Sequence, residues 1–164
     1  MTETSDSRAH EHRVAHVQLR EPAPRGRARV HWPNRAGVSR APALVVYFAA
    51  AAPLTDDDER LVGRLVDGLG AVVLAVSAAH AVEAHATVAW AADHAAELGA
   101  APDRLALAGH GPGAALAERV AELAVDEGWP PLRHVALVWP HDDPEDALAR
   151  LAHALAEAPS GRAR

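Results

Sequence analysis

Apolar and polar residues alternate along this chain in blocks that predict strands separated by helices. Short apolar runs predict buried strands at 43–48, 70–77, 104–108 and 134–139. Between and after these runs, apolar side chains recur at helical spacing over 56–69, 80–98 and 113–127, and again beyond Pro144. Strands that alternate with helices predict a parallel sheet covered by helices on both faces.

Local end signals support these helices. Thr55 is placed to cap the first one, four acidic residues fill its first turn, and Leu61, Leu65 and Leu69 form one apolar stripe. In the second helix, the spacing predicts that Val82, Ala86, Ala89 and Trp90 face inward and that Gly99 ends the helix. Asp143 and Pro144 begin the last helix, whose apolar stripe is Leu148, Leu151 and Leu155.

The amino-terminal region has a different pattern. Residues 15–19 and 27–31 alternate like half-exposed strands around a segment rich in proline and glycine, which predicts an antiparallel edge hairpin. We therefore predict the α/β class, a three-layer αβα sandwich with a mostly parallel sheet of about five or six strands. Residues 1–13 are predicted to be a disordered tail, 14–158 a single domain and 159–164 a flexible end.

The motif Gly109-His110-Gly111-Pro112-Gly113 lies between a predicted strand and a predicted helix, which is the setting of a hydrolase nucleophile elbow. From about Ala43 to Pro140 the chain resembles the hormone-sensitive-lipase-like esterases of the α/β-hydrolase fold. Their elbow typically reads G-D-S-A-G and their oxyanion loop H-G-G-G. The segments that match lie at 44–48, 70–77, 90–99 and 131–140.

The sequence departs from that pattern where the chemistry would be. The family's serine maps to Gly111, and Pro112, which has no N–H, replaces an oxyanion donor. Ala49, Ala50, Ala51 and Ala52 stand in place of H-G-G-G. The family's acid and histidine follow later strands, and no apolar run after Trp139 predicts them. The resemblance thus implies a truncated, degenerate scaffold that acts as a binding or assembly module.

Two other chemistries remain open at the predicted rim beyond the strand ends. A residual carboxylic ester hydrolase would use Ser77 as nucleophile, His110 or His141 as base and Asp142 as orienting acid. A metal site would use His80 with His110, His141 and Asp142. The simpler interpretations are a loop role for His110, in which its imidazole caps the next turn, and helix-terminal or capping roles for the others. A folded product without a selected role is a third possibility.

Composition narrows the classes of molecule that this chain could bind. The chain is 49% hydrophobic and 23% charged with a formal net charge of −6, which disfavours nucleic acid and anionic membranes. It has no cysteine, no lysine for a phosphate-binding loop and no run of about eighteen apolar residues that would predict a membrane span. We expect no cofactor, no resident metal and, by default, a cytoplasmic protein. The predicted partner is a second copy or an active hydrolase at the sheet edge near 134–139.

Overall fold

The computed structural model describes residues 12–19, 26–34, 40–49 and 53–157. The predicted carboxy-terminal segment, the residues before His12 and Ala50 to Ala52 lie outside these ranges. Six strands are present: β1 Arg13–Leu19, β2 Gly26–Trp32, β3 Leu44–Ala49, β4 Val72–Ser77, β5 Leu105–His110 and β6 His134–Val138. The helices are α1 Asp56–Gly63, α2 Ala81–Asp93, α3 Pro112–Glu127 and α4 Pro144–Ala156. No described helix has the length and apolar character that crossing a bilayer requires.

The six strands form one sheet in the order β1-β2-β4-β3-β5-β6. The pairs β3 with β4, β3 with β5, and β5 with β6 are parallel, whereas β1 with β2 and β2 with β4 are antiparallel. The predicted α/β class, the mostly parallel sheet and the amino-terminal hairpin are thereby confirmed. The hairpin is longer than predicted, and because Arg13 already belongs to β1, the predicted tail of 1–13 was drawn too long.

The sheet separates two apolar cores. One contains Phe48 and Leu107 with Val88 of α2 and Val120 of α3. The other contains side chains of the opposite sheet face with residues from α1 and α4, among them Leu61 and Leu151. Helices on both faces agree with the predicted three-layer arrangement, and this packing fixes the strand ends from which the candidate site is built.

Two helices differ from their predicted form. The first becomes a π-helical turn at Arg64–Gly68, so that both Leu65 and Val66 are buried. The second ends at Asp93 and continues as turns up to Gly99. Its predicted inward face was wrong at Val82, which is 72% exposed, whereas Trp90 packs against the core as predicted. The fully buried residues of α2 are Ala84, Thr87, Val88 and Ala91. Alanine occupies six of the thirteen positions of this helix, and these small side chains leave no dominant apolar stripe from which the buried side could be recognised.

Candidate functional site: a nucleophile elbow without a nucleophile

The elbow backbone is formed as the sequence predicts. β5 ends at His110, α3 begins at Pro112, and Gly111 between them has φ 53° and ψ −121°. Its N–H donates a hydrogen bond to the Val138 carbonyl (2.9 Å), and its own carbonyl accepts one from the Ala114 N–H (3.0 Å). Residues with side chains rarely adopt this conformation, so glycine removes strain that any other residue would bear here.

The two outer glycines are required by packing. A Cβ atom on Gly109 would lie 2.3 Å from the Gly113 carbonyl oxygen, and one on Gly113 would lie 2.0 Å from the carbonyl oxygen of Phe48. Both contacts are with backbone, which cannot move aside without shifting α3 against β5 and β3. The glycines at 109 and 113 therefore allow the helix and the sheet to approach closely.

Gly111 has the opposite surroundings. A Cβ atom built on it meets no other atom within 4 Å. A side chain would fit there sterically, and only the positive φ angle opposes it. The position where a hydrolase of this type carries its nucleophile is thus open in space but holds no reactive group. The next residue, Pro112, has no N–H to offer an oxyanion.

The structure does not join Ser77 and His110 into a catalytic pair. Ser77 pairs with Ala49 across β4 and β3, and β3 separates it from β5, which carries His110. Two strand spacings put the two backbones about 10 Å apart. The Ser77 Oγ is buried and has no hydrogen-bond partner in the described part of the chain. His110 is half-buried at the end of β5, and α3 has no side-chain cap, so the predicted capping role of His110 is wrong.

Asp142, Asp143 and His80 lie at a turn or at the start of a helix. The Asp142 carboxylate accepts a hydrogen bond from the Trp139 N–H (3.0 Å) and closes a turn rather than capping a helix. Asp143 caps α4 by accepting from the Glu145 N–H (2.9 Å). His80 is the exposed N-cap residue of α2. Within the described ranges, no three histidine, aspartate or glutamate side chains form a group that could hold a metal ion. The metal site considered from the sequence is therefore not formed there.

Sequence reasoning missed a buried polar network between β3 and the first turn of α1. The Tyr47 hydroxyl donates to Asp58 Oδ1 (2.6 Å), and Asp58 Oδ2 accepts from the backbone N–H and the hydroxyl of Thr55 (3.1 and 2.8 Å). Burial raises the pKa of Tyr47, and the hydrogen bond to Asp58 raises it further. The tyrosine therefore stays protonated and acts as a donor that anchors α1 to the sheet. The signal for it was the spacing of Thr55 and Asp58, which is that of a capping box.

Comparison with known proteins agrees with this geometry. The α/β-hydrolase fold family matches residues 75–161, just over half of the chain. Among solved structures, DphMB1 superimposes with a TM-score of 0.65 and 32% identity, covering 79% of this chain and 44% of DphMB1. EstE1, a thermostable carboxylesterase cloned from a metagenomic library, gives 0.61 and 28%, covering 78% of this chain and 46% of EstE1. No curated protein matches the sequence.

A thermostable esterase from Pseudomonas putida gives a TM-score of 0.61 and 28% identity, covering 76% of this chain and 42% of the esterase. The chain thus spans less than half the length of the solved structures it resembles. The strand order, the elbow and the family match agree with one another, and they confirm the resemblance stated from the sequence. The chain belongs to the α/β-hydrolase fold family and is esterase-like in structure.

Proposed function

We propose that this chain is a catalytically inactive α/β-hydrolase relative that acts as a binding or assembly module. The observation that carries the proposal is Gly111, which keeps the backbone of a nucleophile elbow and the space for a side chain but has no nucleophile. Its neighbour Pro112 supports the same conclusion because it removes an oxyanion donor. The cytoplasmic location expected from the sequence stays part of this proposal.

The size of the catalytic loss supports inactivity. Removing a single oxyanion-hole donor typically lowers kcat by about 10²–10³, and a hydrolase that loses its nucleophile keeps only a small residual rate. Here the two losses occur together at adjacent positions. No covalent acyl intermediate can form at Gly111, because the residue has no atom that could attack a carbonyl carbon.

A direct assay tests inactivity. Purified protein at high concentration is incubated with p-nitrophenyl acetate and p-nitrophenyl butyrate, and p-nitrophenol release is followed. Ser77→Ala and His110→Ala variants, purified in the same way, report contaminating esterase. We expect all three proteins to give the same low rate.

The same assay decides the alternative, a residual ester hydrolase that uses Ser77. The observation that favours it is the unpartnered, buried Ser77 Oγ, since buried hydroxyls usually have a hydrogen-bond partner. Turnover that is lost in Ser77→Ala and kept in a control such as Val82→Ala would establish this alternative and refute the inactive scaffold. Val82 suits the control because its side chain is 72% exposed and it is not one of the candidate catalytic residues.

For the binding role, we propose self-association through β6. This strand is at the end of the sheet, so one of its edges has no neighbouring strand among the described elements. On one face beside it, the half-buried Val135 and Leu137 and the 78% exposed Val125 of α3 line an open groove. Pairing of two β6 strands would cover this apolar surface and satisfy the free backbone groups.

Sedimentation velocity over a range of protein concentrations tests the association. We expect a dimer that Leu137→Glu dissociates, because the substitution places a charge in the groove. Val82→Glu introduces the same charge on an exposed valine of α2 and should leave the dimer intact. A wild-type protein that stays monomeric at the highest concentration would refute self-association, and an active hydrolase would then become the partner to test.

A further inference from the structure

A second cavity lies at the opposite end of the sheet from the elbow, where the parallel strands begin. It has a volume of about 590 Å³ and is lined by residues that precede β3, β4 and β5 and by the last turns of α4. Leu69, Ala152 and Ala156, which keep part of their surface exposed, contribute apolar walls. This volume is within the range of small-molecule sites, which run from about 300 to about 1,000 Å³.

Two arginines face this apolar cavity. Arg104 donates from Nε and Nη2 to the Leu155 carbonyl (3.1 and 2.6 Å) and from Nη1 to the Ala41 carbonyl (2.9 Å). These bonds use three of its five N–H groups and hold the guanidinium between the end of α4 and the segment before β3. Two N–H groups remain for another acceptor.

Arg40 adds to the cavity lining a positive charge that no described carboxylate pairs with. It is exposed and has no carboxylate partner among the described residues. Burial lowers the pKa of Arg104, and the positive charges of Arg40 and Arg133 lower it further, against the opposite effect of the Asp103 carboxylate. Among the described residues that line the cavity, the one carboxylate belongs to Asp67, which lies 3.4 Å from the His12 imidazole. An anion between the two arginines would relieve the repulsion.

We propose that this cavity is a binding site for a small anionic amphiphile, a carboxylate carried on an unbranched apolar chain. The carboxylate would accept hydrogen bonds from the free N–H groups of Arg104 and from Arg40, and the chain would lie against the walls formed by Leu69, Ala152 and Ala156. Guanidinium groups suit this role because their planar donors match the two oxygens of a carboxylate. The site is independent of the elbow and needs no catalysis.

Isothermal titration calorimetry with decanoate tests the site. We expect saturable binding of one decanoate per chain, and at least tenfold weaker binding of decan-1-ol, which has the same chain length and no charge. Arg40→Gln should weaken decanoate binding at least tenfold. Arg60→Gln is the matched control, because Arg60 is an exposed arginine of α1 that pairs with Asp57 and does not line the cavity.

A further variant tests the apolar part of the cavity without touching either cation. Ala152 of α4 lines the cavity and is half-exposed, so Ala152→Phe should fill the space and abolish decanoate binding while the far-ultraviolet circular dichroism stays unchanged. Equal affinity for decanoate and decan-1-ol would overturn the proposal, as would equal loss in Arg40→Gln and Arg60→Gln or no binding at all. Ester turnover would refute the inactive scaffold and leave this site unaffected, so the two failures are distinguishable.

Discussion

Burial of His31 predicts that acid destabilises the fold in a defined pH range. His31 lies on β2 with 1% of its surface exposed, its Nδ1 is 3.0 Å from Nε2 of His12, and its own Nε2 is buried without a partner. Burial, together with the nearby charges of Arg29 and His12, lowers the pKa of His31 from 6.5 to about 4 and outweighs the opposite effect of Glu59. The folded protein therefore holds this imidazole in its neutral form.

The sign of the effect follows from proton linkage. Between pH 6.5 and about 4 the unfolded chain binds a proton at His31 that the folded chain does not, so the free energy of unfolding falls as the pH falls through that range. The full effect is at most about 3.5 kcal/mol, since a pKa difference of one corresponds to about 1.4 kcal/mol. Between pH 7 and pH 5 the part due to His31 is about 2 kcal/mol.

Urea unfolding followed by tryptophan fluorescence at pH 7 and pH 5 measures this difference. We expect His31→Phe to lose about 2 kcal/mol less than wild type over that interval, whatever its stability at pH 7. His80→Phe is the control, because His80 is exposed at the start of α2, and it should keep the wild-type pH dependence. Burial and the charge of Arg150 also lower the pKa of His134. His134 therefore adds to the loss of stability in acid, and it does so in all three proteins. Equal pH dependence in wild type and His31→Phe would refute the reasoning.

Four further substitutions have expected outcomes. Gly113→Ala should destabilise by at least about 3 kcal/mol and Gly111→Ala by only about 1–3 kcal/mol in thermal unfolding, because only the first meets backbone; equal losses would contradict the packing argument. Tyr47→Phe should cost about 1–3 kcal/mol in urea unfolding, because Oδ1 of the buried Asp58 loses its donor while Thr55 still donates to Oδ2, and a neutral result would contradict this role of the tyrosine. Arg104→Ala should increase amide hydrogen exchange in the last turn of α4, whereas unchanged exchange would show that the turn does not depend on this arginine.

The sequence was sufficient to predict those strands and helices whose signals lie within the element itself or at its ends. Strands such as 44–49 are continuous apolar runs, and the cap at Thr55 identifies where α1 begins. The elbow could be located because its glycines follow a strand and precede a helix. The buried side of α2 could not be found, because its alanines give every face a similar apolar character, and burial there is decided by the neighbouring α3.

The candidate site was harder to predict than the fold. Ser77 and His110 are the last residues of β4 and β5, and from the sequence we therefore predicted that both lie at one rim. The sequence pattern does not give the order of the strands within the sheet. The parallel pairing puts β3 between β4 and β5, and this intervening strand keeps the two side chains from forming a pair. The partner of Asp58 was missed for a similar reason, because Tyr47 reaches it from another element.

The three glycines of the elbow carry different information about function. Those at 109 and 113 are required by close contact between backbone segments, so they would be needed in an active and in an inactive hydrolase alike. Their presence is therefore evidence for the fold and none for catalysis. At position 111 packing does not require glycine, because a Cβ atom there meets no neighbour. A reactive side chain at this position would strain the backbone, so only a catalytic role would favour keeping it. Glycine at this position keeps the elbow without that strain, as expected of a scaffold used for binding.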